Sequence, residues 1–180
     1  MKLAILDRDG VINYDSDLCI KSPAEWRPIP GSIDAIARLN QNGFRVAVAT
    51  NQSGIGRGLF DMATLNAIND KMMEMVFRHG GRIDALFFCP HTALEECNCR
   101  KPRTGMFEEI GARFHTDLKG LPVVGDSLKD LQAAEGVGGQ PILVLTGKGR
   151  VTKEGGSLPK RTLVFADLAE ATRHVIEQDE

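Results

Sequence analysis

Long apolar runs are missing from this 180-residue chain, and so is a surplus of charge of one sign. No stretch approaches the ~20 consecutive apolar residues needed to span a bilayer, so no membrane partner is expected. A formal net charge of −2 provides no basic footprint for nucleic acid or an anionic lipid surface. The first residues lack the basic-then-apolar order of a secretory signal, and a cytoplasmic location is expected. Internal repeats and low-complexity tracts are absent. Cysteine is scarce: of the four, Cys19 stands alone while Cys89, Cys97 and Cys99 cluster. Without an export signal such a cluster favours metal over disulfide. The composition that remains, 42% hydrophobic and 26% charged, is that of an ordinary globular chain. One domain spanning residues 1–180, acting as a monomer, is expected.

Apolar runs at Leu3–Leu6, Phe44–Ala49, Ala85–Phe88, Leu121–Val124, Ile142–Leu145 and Leu163–Phe165 read as strands. Segments of helical period separate most of them: Ser32–Asn42, Asp61–His79, Gly105–His115, Leu128–Glu135 and Leu168–Glu177. This alternation predicts an α/β fold, a Rossmann-like three-layer α/β/α sandwich on a mostly parallel sheet. Ser32 reads as the N-cap of the first helix and Gly43 as its stop. The Gly- and Lys-rich stretch Gly147–Lys160 reads as an exposed loop.

The strand ends carry the chemistry. Leu3–Leu6 is followed directly by Asp7-Arg8-Asp9-Gly10, at the C-terminal edge where open α/β sheets bind ligands. A carboxylate pair there suits a hard cation such as Mg²⁺ and leaves one oxygen to attack phosphorus. After the second strand comes Thr50-Asn51-Gln52-Ser53-Gly54, a hydroxyl and amides able to donate to phosphate oxygens. After the third come Arg100 and Lys101, fixed by Pro102, which can neutralise phosphate charge. After the fourth comes Asp126, a natural Mg²⁺ ligand, with Asp130 able to orient it or to cap the next helix.

A second cluster is local. Cys89, His91, Cys97 and Cys99 lie within eleven residues and provide the Cys₃His set that tetrahedral Zn²⁺ accepts. With four protein ligands no position is left for water, so the zinc should be structural. Its expected task is to fold a zinc-binding loop that projects Arg100 and Lys101 into the site. Glu95 and Glu96 in that loop, and the lack of a basic reading helix after it, argue against a nucleic-acid zinc module.

Acid pair, hydroxyl, cation and acid, in that order on successive strands, resemble the haloacid-dehalogenase superfamily of phosphohydrolases from Lys2 to about Leu145. The resemblance implies Asp7 as the nucleophile that forms an aspartyl-phosphate, and Asp9 as the acid/base residue. It implies Thr50 as the hydroxyl that steadies the phosphoryl group and Lys101 as the cation that bridges nucleophile and phosphate. The Mg²⁺ site it implies comprises Asp7, Asp126 and the backbone carbonyl of Asp9. No cap domain is expected: Val11–Pro30 suffices for a loop only, and the zinc loop fills the other usual insertion point.

Within the superfamily the zinc loop and Asp-Arg-Asp-Gly are similar to two groups, the heptose 1,7-bisphosphate phosphatases and the histidinol-phosphate phosphatases. Ser53 to Arg57 resembles the heptose group, and Arg57 suits a substrate whose second phosphate needs its own partner. The five-residue gap between His91 and Cys97 resembles the histidinol group, and Ser127 departs from the Lys of some heptose enzymes. The loop that faces substrate weighs more, which implies removal of the C7 phosphate of a heptose bisphosphate in nucleotide-activated heptose (lipopolysaccharide core) synthesis. Substrate contacts are then expected from Asp15, Asn51, Gln52, Ser53, Arg57 and Arg100. A non-catalytic binding protein on the same fold would be favoured by loss of either motif aspartate or of Lys101, and all three are present.

Overall fold

The computed structural model describes residues 1–179. Six strands alternate with six helices. The strands are β1 (Leu3–Leu6), β2 (Arg45–Asn51), β3 (Ala85–Cys89), β4 (Pro122–Gly125), β5 (Gln140–Val144) and β6 (Leu163–Phe165). The helices are α1 (Ser32–Gln41), α2 (Met62–Arg78), α3 (Gly105–Phe114), α4 (Leu128–Gly136), α5 (Gly149–Glu154) and α6 (Leu168–Glu177). All strand pairs are parallel in the order β3-β2-β1-β4-β5-β6. The chain winds outward from β1 to β3 and then crosses back to β4. The carboxyl ends of β1 and β4 therefore flank the crevice in which such sheets bind ligands.

Successive side chains on a strand face opposite layers, and β1 shows it. Ala4 and Leu6 pack with Val46 and Val48 under α1, α2 and α6. Leu3 and Ile5 pack with Ala47, Ala49 and Val123 against α3 and α4. Helices on both faces explain why β1 and β2 are apolar without alternation. Among the described residues no helix is long and apolar enough to cross a membrane.

Several boundaries differ from expectation. The strand β2 runs on to Asn51 because Thr50 and Asn51 pair with Phe88 and Cys89 of β3, so both lie in the strand and not after it. Gly31, with φ 83°, is the N-cap of α1, and Ser32 is instead buried with its hydroxyl donating to the Ile12 carbonyl at 2.6 Å. Gly147–Lys160 is not all loop: α5 forms there without an apolar period, held by Thr152 Oγ1 donating to the Asp126 carbonyl at 2.8 Å. The Val11–Pro30 connection is packed rather than free, with Val11, Ile12, Ile20 and Trp26 in the core. Trp26 is a packing residue, with Lys71 Nζ over its ring at 5.8 Å.

Candidate active site

Asp7 follows β1 directly, and its N–H continues the sheet by donating to the Val124 carbonyl at 2.9 Å. That bond fixes the peptide, so its carboxylate faces the crevice between β1 and β4. Asp126 follows β4 and faces the same crevice. One Asp126 oxygen, Oδ2, packs against Gly10 and Gly147, where an added Cβ would stand 2.0 and 2.2 Å away. Only glycine fits such an approach, and both glycines also have positive φ. The same oxygen accepts the Lys148 N–H at 2.8 Å. Oxygens of Asp7, Asp126 and Asp130 lie within 4.8 Å of one another.

Lys101 is buried among them. Its ammonium pairs with Asp130 at 2.6 Å and Asp7 at 3.0 Å, and donates to the Ala49 carbonyl at 2.7 Å. Burial would lower its proton affinity, but the charges of Asp130 and Asp7 raise it above the ordinary lysine value. Three carboxylates against one ammonium leave a surplus of negative charge. Burial first, and then the Asp130 charge, raise Asp7 well above the usual carboxylate range despite Lys101. The same two causes push Asp126 up to about 7. A buried acid cluster with this surplus fits a divalent oxygen-seeking cation. Asp130 is already tied to Lys101 and, through Oδ2, to the Ser127 N–H and hydroxyl at 3.0 and 2.7 Å. Asp7 Oδ1 is paired with Lys101 and Asp126 Oδ2 with the Lys148 N–H, so the second oxygen of each suits a cation, while Asp130 caps α4 and orients Lys101 rather than Asp126.

Asp9 is not part of this trio. Its carboxylate accepts from Arg8 Nε and a second Arg8 nitrogen at 2.9 and 3.2 Å. Asn13 and Gln52 donate to it at 2.9 and 3.0 Å. Burial pushes Asp9 up, but the Arg8 charge and these bonds outweigh it, and Asp9 stays below the usual carboxylate range. Thr50 is buried beside it, its oxygen accepting from Gln52 at 2.9 Å.

The crevice opens into a pocket of about 410 Å³ lined by all ten predicted catalytic and substrate-contacting residues. Two of the expected substrate contacts are engaged within the protein. The Asn51 amide grips the Lys101 peptide through two 3.1 Å bonds, and the Gln52 amide ties Asp9 to Thr50. These side chains hold the machinery in register. Ser53, Arg57 and Arg100 line the pocket, with one Arg100 nitrogen donating to the His91 carbonyl at 3.2 Å. Asp15 lies 3.4 Å from Lys148, which lines the pocket along with Lys129. Neither lysine was predicted: Lys148 lay in the presumed loop, and Lys129 carried no motif. Asn13 was missed too, since nothing in the sequence shows that the turn after Gly10 brings it back onto Asp9.

The Cys₃His cluster forms at the end of β3. Cys89 Sγ lies 3.4 Å from His91 Nδ1, 3.7 Å from Cys97 Sγ and 2.9 Å from Cys99 Sγ, and His91 Nδ1 lies 3.3 Å from Cys99 Sγ. Four ligand atoms lie within 4.8 Å, and Cys89 is buried. Burial and the Cys99 contact push the Cys89 thiol up to about 12. The donor set fits Zn²⁺. Arg100 and Lys101 follow Cys99 directly, so the fold of this loop decides where both cations stand.

Comparison with known proteins gives a consistent picture. A HAD-hydrolase-like family model matches residues 98–171. The D-glycero-beta-D-manno-heptose-1,7-bisphosphate 7-phosphatase of Bordetella bronchiseptica is 54% identical over 99% of both chains. The protein of the same name from Neisseria meningitidis serogroup B is 51% identical over 99% of this chain and 97% of its own. The crystal structure of D,D-heptose 1,7-bisphosphate phosphatase from B. bronchiseptica complexed with magnesium and phosphate superposes with a TM-score of 0.97 at 54% identity, covering 99% of each chain.

Proposed function

This chain belongs to the heptose-1,7-bisphosphate 7-phosphatase family of HAD-like hydrolases, and from that premise we propose that it is a Mg²⁺-dependent phosphohydrolase that removes the C7 phosphate of D-glycero-D-manno-heptose 1,7-bisphosphate. The observation that carries the reading is the surplus of carboxylate around Lys101 beneath a rim bearing Arg57 and Arg100. A phosphoryl group needs in-line attack and neutralisation of its equatorial oxygens. A bisphosphate needs a second cationic contact further out.

In this mechanism an Asp7 oxygen attacks the C7 phosphorus, and the bond from phosphorus to the sugar oxygen breaks. Asp9 passes a proton to that leaving oxygen, freeing the C7 hydroxyl. Phosphate bound beside Asp9 raises its proton affinity, as a like charge does for a carboxylate. Thr50 donates to a phosphoryl oxygen, and Lys101 holds nucleophile and phosphoryl group together. Asp9 then takes a proton from water, which attacks the aspartyl-phosphate, releasing inorganic phosphate and restoring Asp7. Mg²⁺, held by Asp7, Asp126 and the Asp9 carbonyl, supplies charge neutralisation between two anionic reactants. Asn51, Gln52 and Asp130 orient Lys101, Asp9 and Thr50, while Ser53, Asp15, Arg57 and Arg100 meet the sugar and its C1 phosphate.

The same reading has Zn²⁺ in the Cys₃His loop as a structural ion, and one monomeric, cytoplasmic domain that needs no nucleic acid or membrane. A phosphate-release panel tests it, offering α- and β-heptose 1,7-bisphosphate, fructose 1,6-bisphosphate and histidinol phosphate. Turnover should be fastest with a heptose bisphosphate, and with its β anomer, the form in the relatives' names. Faster turnover of histidinol phosphate than of either heptose anomer would transfer the assignment to that substrate.

A further inference from the structure

Arg8 lies between the two motif aspartates and is completely buried, yet the reaction above does not use it. Burying a guanidinium is unfavourable unless its N–H groups find partners. The partners here are specific. Its fork grips both carboxylate oxygens of Asp9, and its remaining terminal nitrogen donates to Asn69 Oδ1 at 3.0 Å. Asn69 is itself buried and sits on α2, so the fork is anchored to an element outside the pocket. The Arg8 carbonyl accepts from the N–H groups of Val11, Ile12 and Asn13, closing the turn that carries Asp9.

We propose that Arg8, anchored by Asn69, is a positioning residue that fixes the plane of the Asp9 carboxylate for proton exchange with the leaving oxygen. The proposal rests on the reading of Asp9 as the acid/base residue. Asn13 and Gln52 each give one bond to a single Asp9 oxygen, whereas the planar Arg8 fork engages both oxygens from one rigid group and defines the carboxylate plane. Proton transfer depends on that alignment. Lysine at position 8 would keep the charge and lose the fork.

The test compares leaving groups. kcat/KM is measured for the heptose bisphosphate, whose alkoxide needs a proton, and for 2,4-dinitrophenyl phosphate, whose phenolate departs without one. A well-placed general acid contributes about 10²–10⁴-fold, so Arg8→Lys should lower the sugar reaction by about tenfold or more beyond any loss on the aryl substrate. Asn69→Leu keeps the Arg8 charge and should show the same bias at smaller size. It also serves as the informative variant if Arg8→Lys does not fold. Equal losses on both substrates in the folded variants would overturn the proposal. Asp9→Asn, run alongside, separates the two levels. Bias in Asp9→Asn without bias in the other two refutes the positioning role alone. Its absence in Asp9→Asn refutes the acid role and this proposal together.

Discussion

Two clusters of metal-suited side chains lie at one end of the sheet and are built in opposite ways. The Cys₃His set comes from eleven consecutive residues, Cys89 to Cys99, of a single loop. The carboxylate set of Asp7, Asp126 and Asp130 comes from two strand ends more than a hundred residues apart in sequence. The first has soft donors packed against one another at the end of β3, and a structural ion would complete it. The second has hard donors, a buried lysine and an open pocket, which suits an ion that shares its shell with substrate. A local cluster secures a loop, whereas one assembled by the sheet is positioned to react. Both meet at Arg100 and Lys101, where the loop of one supplies the cation of the other.

Four substitutions or conditions can break or sharpen that contrast. The largest effect is expected from Asp7→Asn, which keeps shape and removes the attacking charge. Mg²⁺-dependent phosphate release should fall by several orders of magnitude while zinc content stays unchanged. Near-normal hydrolysis by this variant would end the aspartyl-phosphate mechanism.

Cys99→Ser should act on the other cluster and reach the first through the chain. Elemental analysis should show loss of about one Zn²⁺ per chain, with lower thermal stability, because structural zinc contributes folding free energy. Activity should drop as Lys101 loses its register, by less than in Asp7→Asn. Full activity without zinc would show that the two clusters are independent.

Arg57→Ala tests the rim. Losing one charge-assisted contact costs about 1.5–3 kcal/mol, so KM for the bisphosphate should rise by roughly ten- to a hundredfold. KM for a sugar monophosphate should barely change. Equal effects on both substrates would mean that Arg57 does not read the distal phosphate.

The smallest effect is one of pH. Asp7 and Asp126 have folded-state proton affinities above those of the unfolded chain. Such acids bind more protons folded than unfolded, so their contribution to stability is full at low pH and is lost as pH rises through the folded value, about 7 for Asp126. Metal-free protein should therefore lose stability from these acids between about pH 4 and pH 7, and Mg²⁺ should restore it. The gain in Tm on adding Mg²⁺ should be a few degrees larger at about pH 8 than at about pH 5. A gain independent of pH would mean that these acids do not hold the ion.

The Cys₃His cluster and the acid motif were legible in the sequence because each depends on neighbours along the chain. The spacing of Cys97 and Cys99, or an acid pair directly after an apolar run, survives without knowledge of the fold. The strands were legible for the same reason, since Leu3–Leu6 and Ile142–Val144 are short unbroken apolar runs. Less visible was what each polar side chain touches. Asn51 and Gln52 look like substrate ligands in the sequence, and they bind Lys101, Asp9 and Thr50 in the structure. Lys148 and α5 had no periodic signal, because a six-residue helix is stabilised by its tertiary bonds to the site and not by an apolar face.

By itself the sequence determined the α/β alternation, the order of acid, hydroxyl, cation and acid along the strands, and the members of the local Cys₃His cluster. These are set by backbone periodicity and by groups joined through a few bonds. The tertiary structure decided that Asp130 holds Lys101, that Asn69 on α2 anchors the Arg8 fork on Asp9, and that Gly10 and Gly147 leave room for Asp126. Those contacts arise where the parallel sheet brings strand ends and helices that are distant in sequence side by side, and sequence separation carries no record of such proximity.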